Sequence, residues 1–446
     1  MTIANTVRKS LFWGRDYLQG APIHTHLQNI KQVSANSSLL AEHQAQQIKS
    51  LLTHAVQTTD YYKNYDGYGR IEDFPVVNKN IIRESFEQFE SKIFKGQKLR
   101  LVQTSGSTGT PFQIFQNTSK RQRVLAEVIY FNSLVGYHVG TRYAFVVAAG
   151  SIHRENAVSR FIKNKVEFSL NTLDFASSEE QRLTLLKDKN IEILIGNPSV
   201  INDLARHVIA QGDTPADFGV KGVLCISEPL YPNMRDTIRT AFNCPVLSRY
   251  SNEECGVLAY ECPTSNKFHL NTASYFFETL DFDSDRPTPP GTPGRIVVTD
   301  LYNYALPMIR YDTGDIGSII PSDSPQFATP ILQSLEGRRV DTVYDTAGRR
   351  LMIFAFDGTF EALGRLGVMK QFQFIQEDRT RYRLRLCVNE TFSQEASVIE
   401  KLKQILGADA QIEIDYVDEI PVLNSGKRKY ILSLYDPSKE DSPVSN

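Results

Sequence analysis

The chain has 446 residues, 41% of them hydrophobic, enough to bury more than one core and hence to form two or three domains rather than one. Its 49 Lys and Arg stand against 51 Asp and Glu, so no net field draws in nucleic acid or an anionic membrane surface. No apolar run reaches membrane-spanning length, charged residues interrupt the first twenty positions, and the five cysteines form no CxxC pair; a cytoplasmic protein with reduced thiols is expected.

In chain order, the first clear periodicity runs from Leu39 to Val56, where Leu39, Leu40, Ile48, Leu51, Leu52, Ala55 and Val56 recur at helical spacing behind the N-cap candidates Asn36, Ser37 and Ser38. Between Tyr143 and Tyr250 apolar and helical segments alternate. Strand-like runs at 143–149, 191–195 and 220–226 are separated by helical patterns at 179–189, 200–210 and 233–242, which predicts parallel α/β layers. The Pro/Gly-rich stretch Asp285–Gly294 reads either as a linker or as a surface loop between strands; the apolar run Arg295–Thr299 resumes at once and favours the loop. Beyond Gly337, alternation at 372–376 and 382–388 around a turn at 377–380 predicts a hairpin, followed by a helix at 394–406 and a strand at 411–417. The expected organisation is a large α/β domain over 1–338 and a small α+β domain over 339–446.

The stretch with most chemical content is Thr104-Ser-Gly-Ser-Thr-Gly-Thr-Pro111. Gly106 and Gly109 let successive backbone N–H groups point at one anion, and Thr104, Ser105, Ser107 and Thr108 add uncharged donors, which suits a polyphosphate. It is neither a Walker loop nor a nucleophile elbow. Taken alone, a solvated Ser/Thr/Gly turn explains it as well. Four later stretches change the balance: Tyr250-Ser-Asn-Glu-Glu254 after an apolar strand, Arg310-Tyr-Asp-Thr-Gly-Asp315, Gly337-Arg-Arg-Val-Asp341, and Asn424-Ser-Gly-Lys-Arg428.

With these motifs in this order the chain resembles the adenylate-forming (ANL) superfamily, and within it the phenylacetate-CoA ligase and capsule-biosynthesis branch. The resemblance implies an α/β fold with a large multi-layer adenylate-forming domain and a small mobile C-terminal domain. It also implies ATP-dependent activation of a small-molecule carboxylate to an acyl-adenylate, with coenzyme A as acceptor; the alternative acceptor is an amine, hydroxyl or carrier protein in cell-surface polysaccharide synthesis. By the same resemblance Thr104, Ser105, Gly106, Ser107, Thr108 and Gly109 would wrap the ATP phosphates and Glu254 would hold Mg2+. Tyr250 would lie against adenine, Asp315 would accept both ribose hydroxyls, and Arg338 would reach the ribose or phosphates. Lys427 would be the mobile lysine that bridges the attacking carboxylate and the α-phosphate.

Several positions depart from the family pattern. Thr110 and Phe112 stand where many relatives carry lysines, so no ammonium lies in the loop, and Val340 replaces the usual Asp or Lys of the hinge. Arg310 and Tyr311 are read as structural, and Ser227-Glu228-Pro229 as pocket scaffold. The acyl pocket is expected around Tyr130, Tyr137 and Ala148–His153, where aromatic residues serve equally as core. Cys262 and His269, with Cys255 nearby, hint at zinc, but the later Cys-x-Cys pair that would close a four-ligand site is missing; buried thiols and a satisfied histidine are the favoured reading.

Overall fold

The structure, a computed structural model, describes residues 3–65, 67, 69–104, 112–148, 163–170, 175–322, 327–338, 342–351, 356, 359, 369–388, 392–420 and 430–435. Three helices come first: α1 (Ile3–Leu18), α2 (Pro22–Ala35) and α3 (Ser37–Thr58). Of the N-cap candidates for α3, Asn36 takes the position, its side chain accepting from the N–H groups of Ser38 and Leu39. Helix α3 buries Leu40, Leu51, Leu52 and Ala55, as its spacing predicts. Two short helices follow, α4 (Lys79–Glu84) and α5 (Phe86–Phe89), then the antiparallel pair β1 (Arg100–Gln103) and β2 (Gln113–Gln116), a hairpin whose strands flank the Ser/Thr/Gly stretch in sequence.

Helix α6 (Thr118–Asn132) leads into the alternating layers: β3 (Tyr143–Ala148), β4 (Lys165–Leu170), α7 (Phe175–Lys187), β5 (Ile193–Gly196), α8 (Pro198–Ala210), β6 (Gly222–Ile226), α9 (Pro232–Phe242) and β7 (Val246–Asn252). All five strands pair in parallel. The central strands β5 and β6 are continuous apolar runs, covered by helices such as α8, which buries Val200, Ile201, Leu204 and Val208. Strand β4, absent from the predicted pattern, adds the outer edge beside β3.

After β7 the chain switches to antiparallel pairing through β8 (Gly256–Glu261), β9 (Phe268–Leu270), β10 (Tyr275–Leu280), β11 (Gly294–Asp300), β12 (Tyr311–Ile320) and β13 (Ile331–Arg338). Among the described residues the result is one eleven-stranded sheet, ordered β10-β11-β12-β13-β9-β8-β7-β6-β5-β3-β4. The Pro/Gly-rich stretch is the loop of the β10–β11 hairpin. Two short strands, β14 (Val343–Tyr344) and β15 (Arg350–Leu351), precede a four-stranded sheet of β16 (Met369–Gln376), β17 (Arg381–Val388), β18 (Gln411–Tyr416) and β19 (Ile431–Ser433), with α10 (Glu395–Leu406) between β17 and β18. Phe374, Leu384, Leu386, Leu402 and Leu406 pack together there, and Met234 of α9 joins the same cluster. The expected boundary at 339–341 lies outside the described residues.

Arg310 has the structural role expected of it. It takes a left-handed φ of 51° and is buried. Its guanidinium forks onto the Glu278 carboxylate at 2.9 and 3.1 Å and donates to the carbonyls of Phe74 at 3.0 Å and Glu72 at 3.2 Å, tying the segment before α4 to β10. Removing one partner of a buried pair strands the other charge, so Arg310→Met is expected to cost about 3 kcal/mol of stability, read as a lowered denaturant midpoint. A midpoint unchanged within error would show that the pair contributes nothing net.

Candidate active site

Strand β7 reverses into β8 through a tight turn that carries Glu254. The Asn252 side chain accepts from the Cys255 N–H at 2.8 Å, and Gly256 takes a φ of 124°. A Cβ on Gly256 would meet the Tyr275 hydroxyl at 2.9 Å, so the turn needs glycine for space as well as for backbone angle. Gln116 of β2 donates through Nε2 to the Glu254 carbonyl at 3.2 Å, which ties the hairpin to this turn.

The hairpin closes on itself below its tip. The Thr104 N–H donates to the Phe112 carbonyl at 2.8 Å, and the Phe112 N–H donates to the Thr104 hydroxyl at 3.3 Å. Ser105, Gly106, Ser107, Thr108 and Gly109, the rest of the expected phosphate cradle, lie outside the described residues.

Two side chains meet the Glu254 carboxylate. The Glu254 carboxylate is almost wholly buried, and on its Oε1 converge the Lys79 ammonium at 2.9 Å and the Tyr311 hydroxyl at 2.7 Å. Phe112 lies parallel to Tyr311 with ring centroids 6.1 Å apart, and the Lys79 ammonium stands 5.5 Å from the Phe112 ring centroid. Phe112 therefore helps to seat Lys79, delivered from α4. Nothing in the reading of the sequence singled out Lys79. The available signal was Asn78, which caps α4 by accepting from the Asn80 and Ile81 N–H groups and so sets Lys79 at the helix start; it says nothing of a partner 175 positions away. Tyr311, read as structural, reaches the candidate metal ligand directly.

Four residues further along β12, the Tyr250 hydroxyl donates to Oδ2 of Asp315. Burial, and then the charge of Asp315, hold the Tyr250 phenol well above its usual range; burial and then Glu254 do the same to Tyr311. Both phenols therefore stay protonated and able to donate at neutral pH. Asp315 pairs across the sheet with Arg338, whose backbone alone is described, so these two positions face each other at the β12–β13 edge. Lys427 lies outside the described residues.

Glu228 accepts from the Ser199 hydroxyl at 2.7 Å, clamping the start of α8, and Ser227 before it is forced to a φ of 73°. This strained residue sits at the carboxyl end of β6, the side on which open α/β sheets place their ligands. Of the residues expected around the acyl pocket, Tyr137 packs edge-on against Tyr143 at 5.7 Å and Tyr130 against Phe131 at 5.0 Å, while 149–153 lie outside the described residues. The Cys262 thiol contacts the Thr264 hydroxyl at 3.1 Å, and His269 Nδ1 lies 3.2 Å from the Thr329 carbonyl. Among the described residues no three His, Cys, Asp or Glu side chains cluster to hold a metal.

Residues 350–433 match the model of the CapK C-terminal domain. The chain is 24% identical to protein CapK of Staphylococcus aureus over 384 residues, covering 81% of this chain and 80% of that protein. Against the phenylacetate-coenzyme A ligase of Pseudomonas putida it is 24% identical over 308 residues, 65% of this chain and 68% of that one. The curated proteins it resembles thus include CapK and phenylacetate-CoA ligases. The fold of this CapK- and phenylacetate-CoA ligase-like chain matches a crystal structure of 2-hydroxyisobutyryl-CoA ligase in the postadenylation state with R3-HIB-AMP. That match has a TM-score of 0.71 at 18% identity and covers 92% of both chains. Against the same ligase with 2-HIB-AMP and CoA in the thioesterification state the TM-score is 0.59 at 19% identity, covering 92% of this chain and 93% of that one. The α/β architecture expected from the motifs, a large sheet with a smaller C-terminal unit, is thus the adenylate-forming fold. Among the described residues no helix is long and apolar enough to cross a membrane.

Proposed function

We propose that this chain activates a carboxylic acid with ATP, releasing pyrophosphate and forming an acyl-adenylate, and then passes the acyl group to the thiol of coenzyme A. The observation that carries the reading is the meeting of Lys79, Tyr311 and the buried Glu254 carboxylate beside the Thr104 hairpin, with Tyr250 and Asp315 adjoining. The CoA-ligase relatives support the acceptor.

In this reading Thr104 and the hydroxyl and glycine residues to Gly109 cradle the β- and γ-phosphates. Asp315, positioned by the Tyr250 hydroxyl, offers two oxygens to the ribose hydroxyls, and Arg338 approaches from the paired strand. Glu254 fits a magnesium site by its chemistry: a hard cation keeps several waters and takes one or two carboxylates, and a buried carboxylate held by a tyrosine donor is such a ligand. Magnesium, when bound, neutralises charge on the phosphate oxygens. Lys79 holds the negative charge of Glu254 in the resting chain and supplies the ammonium that the hairpin tip lacks. Lys427, brought in by a C-terminal domain spanning 339–446 that turns against 1–338, stabilises charge growing between the carboxylate and the α-phosphorus.

Lys79→Met is expected to raise the KM for ATP about tenfold, the worth of one charge-assisted contact, and, because it strands the buried Glu254 charge, to lower the unfolding midpoint as well. An unchanged KM would remove Lys79 from the phosphate site.

The second reading keeps adenylation and hands the acyl group to an amine, hydroxyl or carrier protein in cell-surface polysaccharide synthesis. Its support is the CapK C-terminal match together with the 81% of this chain that aligns with CapK. Mass spectrometry of products from a carboxylate panel, with and without coenzyme A, separates the two. Acid-dependent pyrophosphate release without a CoA thioester discards coenzyme A as acceptor; no pyrophosphate release with any acid discards both.

A further inference from the structure

One apolar face of the large sheet ends on a charge. Parallel pairing sets Leu224 beside Leu247 and Ile226 beside Arg249, so these alternate positions of β6 and β7 share one side of the sheet. The earlier rows of that side are apolar: Leu224 and Leu247 pack with Ile195 and Val135, and Tyr137 and Ile226 adjoin them. Arg249 takes the last row, paired with Ile226 and so next to the strained Ser227. This is the carboxyl end of the parallel strands, where open α/β sheets place their ligands.

The guanidinium there is short of partners. Among the described residues its one hydrogen bond runs from Nη1 to Asn132 Oδ1 at 3.0 Å, at the end of α6, and it forms no ion pair. Its Nε is buried with no acceptor. Glu127 and Glu253 are the acids whose charges act on it, yet burial outweighs both and pulls its pKa down to about 10, which leaves it a cation at neutral pH. Glu127 is engaged elsewhere: its Oε2 accepts from the Val257 N–H and from the Tyr275 hydroxyl, each at 3.4 Å. Water would satisfy the orphan donor but not the charge, whereas an anion satisfies both, and the planar fork of an arginine fits a carboxylate. Resting on the reading that the chain activates a carboxylic acid, we propose that Arg249 binds a second carboxylate on that acid, so that the substrate is a dicarboxylate whose apolar middle lies along the Ile226 and Leu247 rows.

Dicarboxylates from malonate to suberate, each set against the monocarboxylate of equal chain length, test this on the full chain. In acid-dependent pyrophosphate release the best dicarboxylate is expected to exceed its monocarboxylate in kcat/KM by about tenfold or more. Arg249→Met should bring that ratio close to one, with Arg249→Lys in between. Unfolding midpoints give a readout free of turnover: the same dicarboxylate should raise the midpoint of the unaltered chain and leave that of Arg249→Met where it was. Without ligand, Arg249→Met should unfold no earlier than the unaltered chain, because it removes an uncompensated charge. A ratio that Arg249→Met does not change, or a midpoint that no dicarboxylate raises, would overturn the proposal. So would a much lower midpoint for Arg249→Met without ligand, which would make the residue a structural partner of Asn132. Midpoint shifts that Arg249→Met abolishes, in a chain that releases no pyrophosphate with any acid, would keep the anion site and strike the adenylation reading instead.

Discussion

Glu254→Gln is expected to cut carboxylate-dependent pyrophosphate release by about two to three orders of magnitude. Glutamine keeps the length of the side chain and an oxygen acceptor for the Tyr311 hydroxyl, so the turn between β7 and β8 has what it needs to form. What it removes is the charge, on which both the lysine at 2.9 Å and an incoming magnesium ion depend. Two readouts separate this from a general loss of fold. The magnesium concentration needed for half-maximal rate should rise sharply, and binding of ATP measured without magnesium should survive, because Lys79 is then released from its carboxylate to meet the phosphates. A magnesium titration identical to that of the unaltered chain would dismiss Glu254 as the metal ligand, leaving it as the buried partner of Lys79.

The second large effect concerns Lys427. Lys427→Ala should lower acid-dependent pyrophosphate release by at least about a hundredfold, since the charge that it stabilises exists only while the acid attacks the α-phosphorus. Transfer to the acceptor from a supplied acyl-adenylate should be nearly unaffected, because the proposed rotation of the C-terminal domain withdraws the lysine before that step. Equal damage to both half-reactions would mean that the residue supports the C-terminal domain rather than the chemistry. The same pair of assays applied to Lys79→Met should show the opposite kinetic character, a change in KM more than in kcat, since a group that meets bound phosphates acts on ground and transition states alike.

Much of the architecture was legible because burial imposes a period on the sequence. The helix at 37–58, the parallel strands at 143–148, 193–196 and 222–226, the hairpin of β16 and β17, α10 and β18 all follow apolar spacing, since each presents one face or both to a hydrophobic core. Two of the elements that escaped break that rule. Helix α6 buries Lys120, Arg123 and Glu127; the Lys120 ammonium lies 2.6 Å from the Asp300 carboxylate and Arg123 donates to the Ala273 carbonyl at 2.7 Å, so its inward face reads as polar. Helix α1 escaped for the related reason that its apolar face points to solvent.

By itself the sequence determined the layered α/β plan, the order of the motifs and the residue types at Thr104, Tyr250, Glu254 and Asp315, because local chemistry such as a glycine-rich turn or a capped helix is written in neighbouring positions. Only the tertiary structure decided that Lys79 and Tyr311 converge on Glu254, that Tyr250 orients Asp315, and that Asp315 faces Arg338 across a strand pair. These are contacts between segments far apart in the chain. Their distances depend on strand register and sheet order, which long-range packing sets and no local pattern encodes.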